Sequence, residues 1–137
     1  YYDDYAHHPT EIHAVLSALR DWYPDRPIVA IFQPHTYSRT KVLFEEFSKS
    51  FGNANKVAIM DIYASAREEK DPTVNSQKLV EETKKYHNDV HFTGGHETTI
   101  EFLTKNTQKG DVVVMIGAGD IFHIWDELTN KHLNNDQ

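Results

Sequence analysis

The 137-residue sequence contains no cysteine, which removes disulfide bonds and cysteine-ligated zinc from consideration. A cysteine-free chain suits a reducing compartment, so a cytoplasmic location is the expectation. Basic residues are also scarce. Fourteen Lys and Arg stand against 21 Asp and Glu, a formal net charge of −7 with the nine histidines neutral. Nucleic-acid binding needs clustered Lys and Arg at the phosphates, so no nucleic-acid partner is expected. No apolar run approaches the roughly 18–20 residues of a membrane-crossing helix, and the opening residues do not read as a secretory leader; no membrane partner is expected. Three catalytic signatures are missing as well: a G-x-x-x-x-G-K-[ST] phosphate loop, a G-x-S-x-G nucleophile elbow, and a G-x-G-x-x-G after the first strand. If the parent protein uses ATP, its phosphate cradle lies on another domain. A nicotinamide-dependent oxidoreductase is disfavoured.

What is present fits one domain with a core of its own. Apolar, β-branched runs alternate with helical patterns, which predicts an α/β domain with a mostly parallel sheet flanked by helices, a Rossmann-like three-layer arrangement over residues 1–137. Strands are expected at Tyr1–Tyr5, Ile28–Gln33, Val57–Ile62, Val90–Phe92 and Val112–Ile116. The unbroken apolar run of the last suits a central strand covered on both faces. Helices are expected from Pro9 to about Trp22, Thr40–Phe51, Asn75 to about His87, Glu97–Asn106 and Ile121–Leu133, each with apolar residues at three- and four-residue spacing. The charged stretch Glu81–Lys85 reads as a solvated helix face, and residues from Asn130 onward as a fraying tail. The chain opens in an apparent strand and without Met, so a fragment of a longer protein is expected.

In open parallel sheets, ligands sit beyond the C-terminal ends of the strands. The segments that follow four of the predicted strands are rich in polar, titratable and glycine residues: Asp3–Glu11, Gln33–Thr40, Asp61–Glu69 and Gly117–Asp120. Asp3 and Asp4 suit a ribose, a metal, an attacking amine or a helix cap. His7 and His8 point apart on an extended segment, so they do not share one metal ion; one is expected at an anion and the other in a structural role. His35 and Arg39 flank a strand-to-helix turn that Ser38 or Thr40 can cap. Its N-terminus and the planar Arg39 fork suit an anion, although Arg39 could equally pair with Glu45, Glu46 or another surface acid. Gly117-Ala118-Gly119-Asp120 is half a dinucleotide fingerprint and reads more readily as a tight turn with Asp120 as the cap. His87, His91, His123 and His132 show no ligand spacing, and no protein metal site is expected.

Three motifs occur in one order: Asp3-Asp4-Tyr5-Ala6-His7-His8-Pro9-Thr10-Glu11, Phe32-Gln33-Pro34-His35-Thr36-Tyr37-Ser38-Arg39-Thr40 and Gly117-Ala118-Gly119-Asp120-Ile121. Together they resemble the C-terminal domain of the Mur ligases of peptidoglycan synthesis, across essentially the whole chain. The Phe-Gln-Pro-His stretch points to the branch that adds L-alanine to UDP-N-acetylmuramate. The resemblance implies an ATP- and Mg2+-dependent ligase whose N-terminal domain binds the UDP-sugar and whose central domain holds the ATP phosphates, with this domain closing over both. The muramate carboxylate would become an acyl phosphate that the alanine amine attacks. On the same resemblance, Asp4 and Tyr5 face the nucleotide or the reacting centre, His7 the phosphates or the amino acid, and His35 and Arg39 the alanine carboxylate or the charged groups of the substrate; His7 and Arg39 are the expected catalytic pair. The isolated domain is expected to be inactive. Two departures stand out: Thr36 where many relatives carry Arg, and Ala66-Arg67-Glu68 where Ala-Gly-Glu is common. Arg67 is a candidate to restore the lost charge. The alternatives are a murein tripeptide recycling ligase and a non-catalytic Rossmann-like module for a small anion or nucleotide.

Overall fold

A computed structural model describes the backbone of residues 1–135 and the side chains of residues 1–130. Five parallel strands form one sheet in the order β1-β5-β2-β3-β4. They are β1 (Tyr2–Asp4), β2 (Ile28–Phe32), β3 (Lys56–Met60), β4 (Val90–Gly94) and β5 (Val112–Ile116). All five residues of β2, and all five of β5, are buried, as their unbroken apolar runs require. Because successive strand residues point to opposite faces, two separate cores result. Ile28, Ala30, Phe32, Val57, Ile59, Val112, Val114 and Ile116 pack on one face against Ile12, Leu16, Leu19, Phe47 and Leu79. Val29, Ile31, Ala58, Met60, Val113 and Met115 pack on the other against Ile100, Leu103, Ile121, Ile124 and Leu128. This is the three-layer α/β arrangement anticipated from the sequence.

Helix α1 (Pro9–Trp22) has the predicted bounds, with Pro9 in its first turn and His8 as its cap; a proline there gives up only an N–H that has no partner in the helix. The predicted Thr40–Phe51 helix is instead two short helices, α2 (Tyr37–Val42) and α3 (Phe44–Ser48), broken where Leu43 takes φ −104° and ψ 19°. The first starts early because Thr36, not Ser38 or Thr40, caps it: Arg39 N donates to Thr36 Oγ1 at 3.3 Å. Phe47 and Phe51 still reach the core, with ring centroids 5.3 and 5.6 Å from Phe32.

Helix α4 (Ser76–Thr83) stops four residues short of His87. There the chain turns so that the His87 ring can donate to Ala54 O (2.7 Å) and accept from Asp89 N (3.0 Å). The Glu81–Lys85 face carries surface ion pairs, as its charge predicted. Helix α5 (His96–Asn106) begins one residue early, and α6 (Phe122–Asn135) one residue late. The latter runs on through residues 130–135, where a fraying tail was expected; residues 136–137 lie outside the described part. β4 extends two residues past Phe92, through a register shift opposite Ile59 and Met60. Among the described residues, no helix is long and apolar enough to cross a membrane.

Candidate functional site

All five strands run parallel, so their C-terminal ends share one edge, and the singled-out segments meet there. Backbone bonds close the edge: Gly117 N donates to Asp4 O, and Gln33 N to Ile116 O, both at 3.0 Å. Asp4 does not cap α1. Its Oδ1 accepts from Ala6 N at 2.9 Å, shaping the turn that leads to the helix, while Asp3 projects outward and burial, Asp4 and Asp126 push its carboxyl above the usual aspartate range. Tyr5 is 71% exposed, and its ring meets the His7 ring edge-on at 5.8 Å. The two histidines divide as anticipated in position. His8 Nδ1 accepts from Thr10 N (3.2 Å), which makes it structural. His7 sits half-buried on the rim, with Nδ1 3.1 Å from Tyr5 O and 3.8 Å from Glu11.

The segment after β2 supplies the second half of the rim. Arg39 Nη1 donates to His35 Nδ1 at 3.2 Å, which fixes that ring nitrogen as an acceptor and leaves the proton of the neutral ring on Nε2. Burial first, then the charges of Arg39 and His7, lower the His35 pKa below its ordinary 6.5, with Glu68 pulling the other way. The ring therefore stays neutral beside the guanidinium. Among the described residues Arg39 makes no ion pair, so the alternative pairing with Glu45 or Glu46 does not occur; Glu45 pairs with Lys49.

The anion site anticipated at the N-terminus of α2 is already filled. Tyr37 N and Ser38 N donate to the two carboxylate oxygens of Glu68 at 2.8 and 2.7 Å. Burial works to raise the Glu68 pKa, but these bonds outweigh it and hold it below the ordinary value. Arg67, beside it, is exposed and donates its backbone N–H to Ser65 Oγ at 3.3 Å.

Asp120 is not a simple helix cap either. Its Oδ1 accepts from Gln33 Nε2 at 2.7 Å and lies 3.1 Å from His96 Nε2. Burial opposes ionisation, yet these two partners lower its pKa. The other end of the Gln33 amide accepts from Ile121 N at 3.2 Å. His96 has no signal in the sequence: β4 runs two residues past the expected Phe92, and its partner Asp120 lies 24 residues away. Gln33, 4% exposed, was legible as a polar residue at a buried strand end. Gly119 is dictated by space: a Cβ there would lie 2.6 Å from the Tyr63 ring and 2.7 Å from Gln33 Oε1.

Among the described residues no three His, Asp or Glu side chains gather as metal ligands. A concavity of about 1160 Å³ runs along α4 and β4, between Lys41, Phe44, Lys78 and Phe92. It is an open groove fringed by the mutually paired Glu and Lys side chains of α4, without the convergent polar groups of a ligand site.

Residues 1–119 match the family described as Mur ligase, glutamate ligase domain. The chain belongs to the Mur ligase family. Curated Mur ligase relatives include the UDP-N-acetylmuramate–L-alanine ligase of Caldanaerobacter subterraneus, 47% identical over 95% of this chain and 28% of that protein. That of Sulfurihydrogenibium sp. is 45% identical over 96% of this chain and 29% of that protein. The chain thus spans less than a third of the length of these relatives. Among solved structures, the UDP-N-acetylmuramate-alanine ligase of Thermotoga maritima superposes with a TM-score of 0.75 at 21% identity, covering 96% of this chain and 26% of that one. A domain described as from a UDP-N-acetylmuramate:L-alanyl-gamma-D-glutamyl-medo-diaminopimelate ligase of Haemophilus ducreyi reaches 0.68 at 21% identity, covering 94% of this chain and 87% of that one.

Proposed function

We propose that this chain is the C-terminal domain of an ATP-dependent ligase that joins L-alanine to the carboxylate of UDP-N-acetylmuramate in peptidoglycan synthesis, acting with its own N-terminal and central domains in the cytoplasm. The observation that carries this reading is the His35–Arg39 pair: a guanidinium at the rim, bonded to a neutral imidazole and free of any carboxylate partner among the described residues. A planar fork with open donors suits the carboxylate of an amino acid. His7 and Tyr5 lie at the end of β1 on the same rim, and the charge of His7 weighs on His35. The similarity to alanine-adding ligases at 41–47% identity supports the choice of amino acid.

On this reading the carboxylate docks on Arg39, with His35 Nε2–H as a second donor. That leaves the amine of alanine directed away from the guanidinium, toward the activated carboxyl group. His7, half-buried on the rim, is the candidate to orient or take a proton from that amine. Asp4 and Tyr5 are the candidates to face the nucleotide. Among the described residues no group of His, Asp or Glu is placed as a metal-ligand cluster, and the helix N-terminus nearest Arg39 is filled by Glu68. On this reading the rest of the full-length protein holds ATP and Mg2+, and the isolated domain is inactive.

The test is phosphate release from ATP by the full-length protein with UDP-N-acetylmuramate and, in turn, L-alanine, L-serine, glycine, D-glutamate and a preformed tripeptide. A strong preference for L-alanine is the expected outcome. Turnover only with a preformed tripeptide would replace this reading with the recycling ligase.

A further inference from the structure

The residues that hold His35 in place come from three separate loops. The Tyr63 ring stacks on the His35 ring, 5.7 Å between centroids and 17° between planes, within the range of favourable aromatic contacts. The backbones of the two residues are bridged: Tyr63 N donates to Pro34 O at 2.8 Å, and Thr36 N to Tyr63 O at 2.9 Å. Tyr63 is itself backed by Gly119, whose missing Cβ makes room for the ring. Gly119 sits in the β5–α6 turn, which Gln33 ties at two points, through Asp120 and Ile121 N. His96 holds Asp120 from the far side. A continuous set of contacts therefore runs from α5, through the turn and the Tyr63 ring, to His35 and on to Arg39.

From this we propose that Tyr63 is a positioning residue: wedged between Gly119 and His35, it sets the plane of the imidazole and thereby the place of the Arg39 guanidinium, with the Gln33–Asp120–His96 latch holding the wedge closed. The role rests on the ring and not on the hydroxyl, since the contacts to His35 and Gly119 are both made by ring atoms. Tyr63 is 38% exposed, so it does not support a core, and its removal leaves both apolar clusters intact. The charged and titratable groups that face His35 are Arg39, His7 and Glu68; the first two disfavour its protonation and the third favours it. Loss of the ring adds water to one face of the imidazole, which eases protonation. The consequence for function rests on the reading that Arg39 and His35 receive the amino-acid carboxylate.

Two measurements test this independently. Histidine-ring 1H–15N NMR titrations compare the 137-residue chain with its Tyr63→Phe, Tyr63→Leu and Gly119→Ala variants, with His35 assigned from His35→Gln. Tyr63→Phe is expected to leave the His35 titration in place. Tyr63→Leu and Gly119→Ala are expected to shift its ring signals and move its pKa toward the ordinary 6.5. An unmoved His35 in both overturns the proposal; should Tyr63→Leu lose its circular-dichroism melt, Gly119→Ala decides alone. In the full-length protein, Tyr63→Leu is expected to raise the KM for L-alanine roughly tenfold while kcat stays within about twofold, with Tyr63→Phe close to the parent. If Arg39→Ala leaves that KM unchanged, the functional reading falls, while the NMR result still decides whether Tyr63 positions His35.

Discussion

The two ends of the sheet use the same residue types in opposite ways. At the N-terminal end, Arg20 donates to Arg26 O, Asn53 O and Asn55 Oδ1 at 2.9, 2.9 and 2.5 Å, and to Tyr23 O at 3.4 Å. Asn55 Oδ1 also accepts from Ile28 N at the start of β2, and both ring nitrogens of His87 are engaged by backbone. At the C-terminal end, Arg39 reaches one acceptor, the ring of His35. An arginine whose guanidinium meets three backbone oxygens and one amide side-chain oxygen of its own chain is a structural part. One with most of its donors unspent, beside a neutral histidine, is available to a ligand. Counting satisfied donors thus separates scaffold from site more sharply than residue identity does.

Exchanging the roles of the two arginines gives the largest expected effects. Arg39→Ala should raise the KM for L-alanine about 100-fold in the full-length protein, equivalent to ~2.7 kcal/mol for a charged bidentate contact, while chemical denaturation of the domain moves by less than about 0.5 kcal/mol. Arg20→Ala should do the reverse: a stability loss of about 2 kcal/mol, read from a urea midpoint, with an unchanged KM. Equal effects of the two on stability would erase the distinction. The histidines provide a smaller version. His87→Ala should cost about 1–2 kcal/mol in the same denaturation measurement, and His35→Gln less than about 0.5 kcal/mol.

Acid should weaken the rim through Glu68. Its folded-state pKa lies below the ordinary 4.5, so the stability it contributes is complete above that value and is lost as the pH falls through the folded pKa. Glu68→Gln should therefore flatten the fall in stability below about pH 4.5, measured as urea midpoints from pH 3 to 7; an unchanged slope would show that Glu68 is not held as described. The smallest effect concerns Thr36, which has φ 67° and ψ 143°. Glycine adopts this region freely, and replacing a capping threonine by glycine costs only a few tenths of a kcal/mol. Thr36→Gly should therefore stabilise the domain by up to about 1 kcal/mol, seen as a raised Tm; a lowered Tm would mean that the cap matters more than the backbone.

The elements with unambiguous local signals were legible in the sequence. β5 and α1 have the bounds that their apolar run and their Pro9 start implied, and the gathering of Asp4, Tyr5, His7, His35 and Arg39 on one edge follows from a parallel sheet. The illegible parts depend on partners distant in the chain. Glu68 meets α2 from 30 residues away, and His96 meets Asp120 across 24. No local pattern announces either. The α2–α3 break at Leu43 hid because Leu43, Phe44 and Phe47 keep a helical spacing on both sides of it. Strand order, too, is a long-range property that periodicity does not encode.

The Glu68 carboxylate at the start of α2 has a practical consequence for ligand searches. It is a tethered competitor: a side chain on the loop between β3 and α4 presents itself at an effective concentration of roughly millimolar order. Free sulfate, phosphate or acetate must outcompete a neighbour that never diffuses away. Anion screens on this domain will register that helix only after Glu68 is neutralised, and a screen of Glu68→Gln beside the parent would separate a masked site from an absent one.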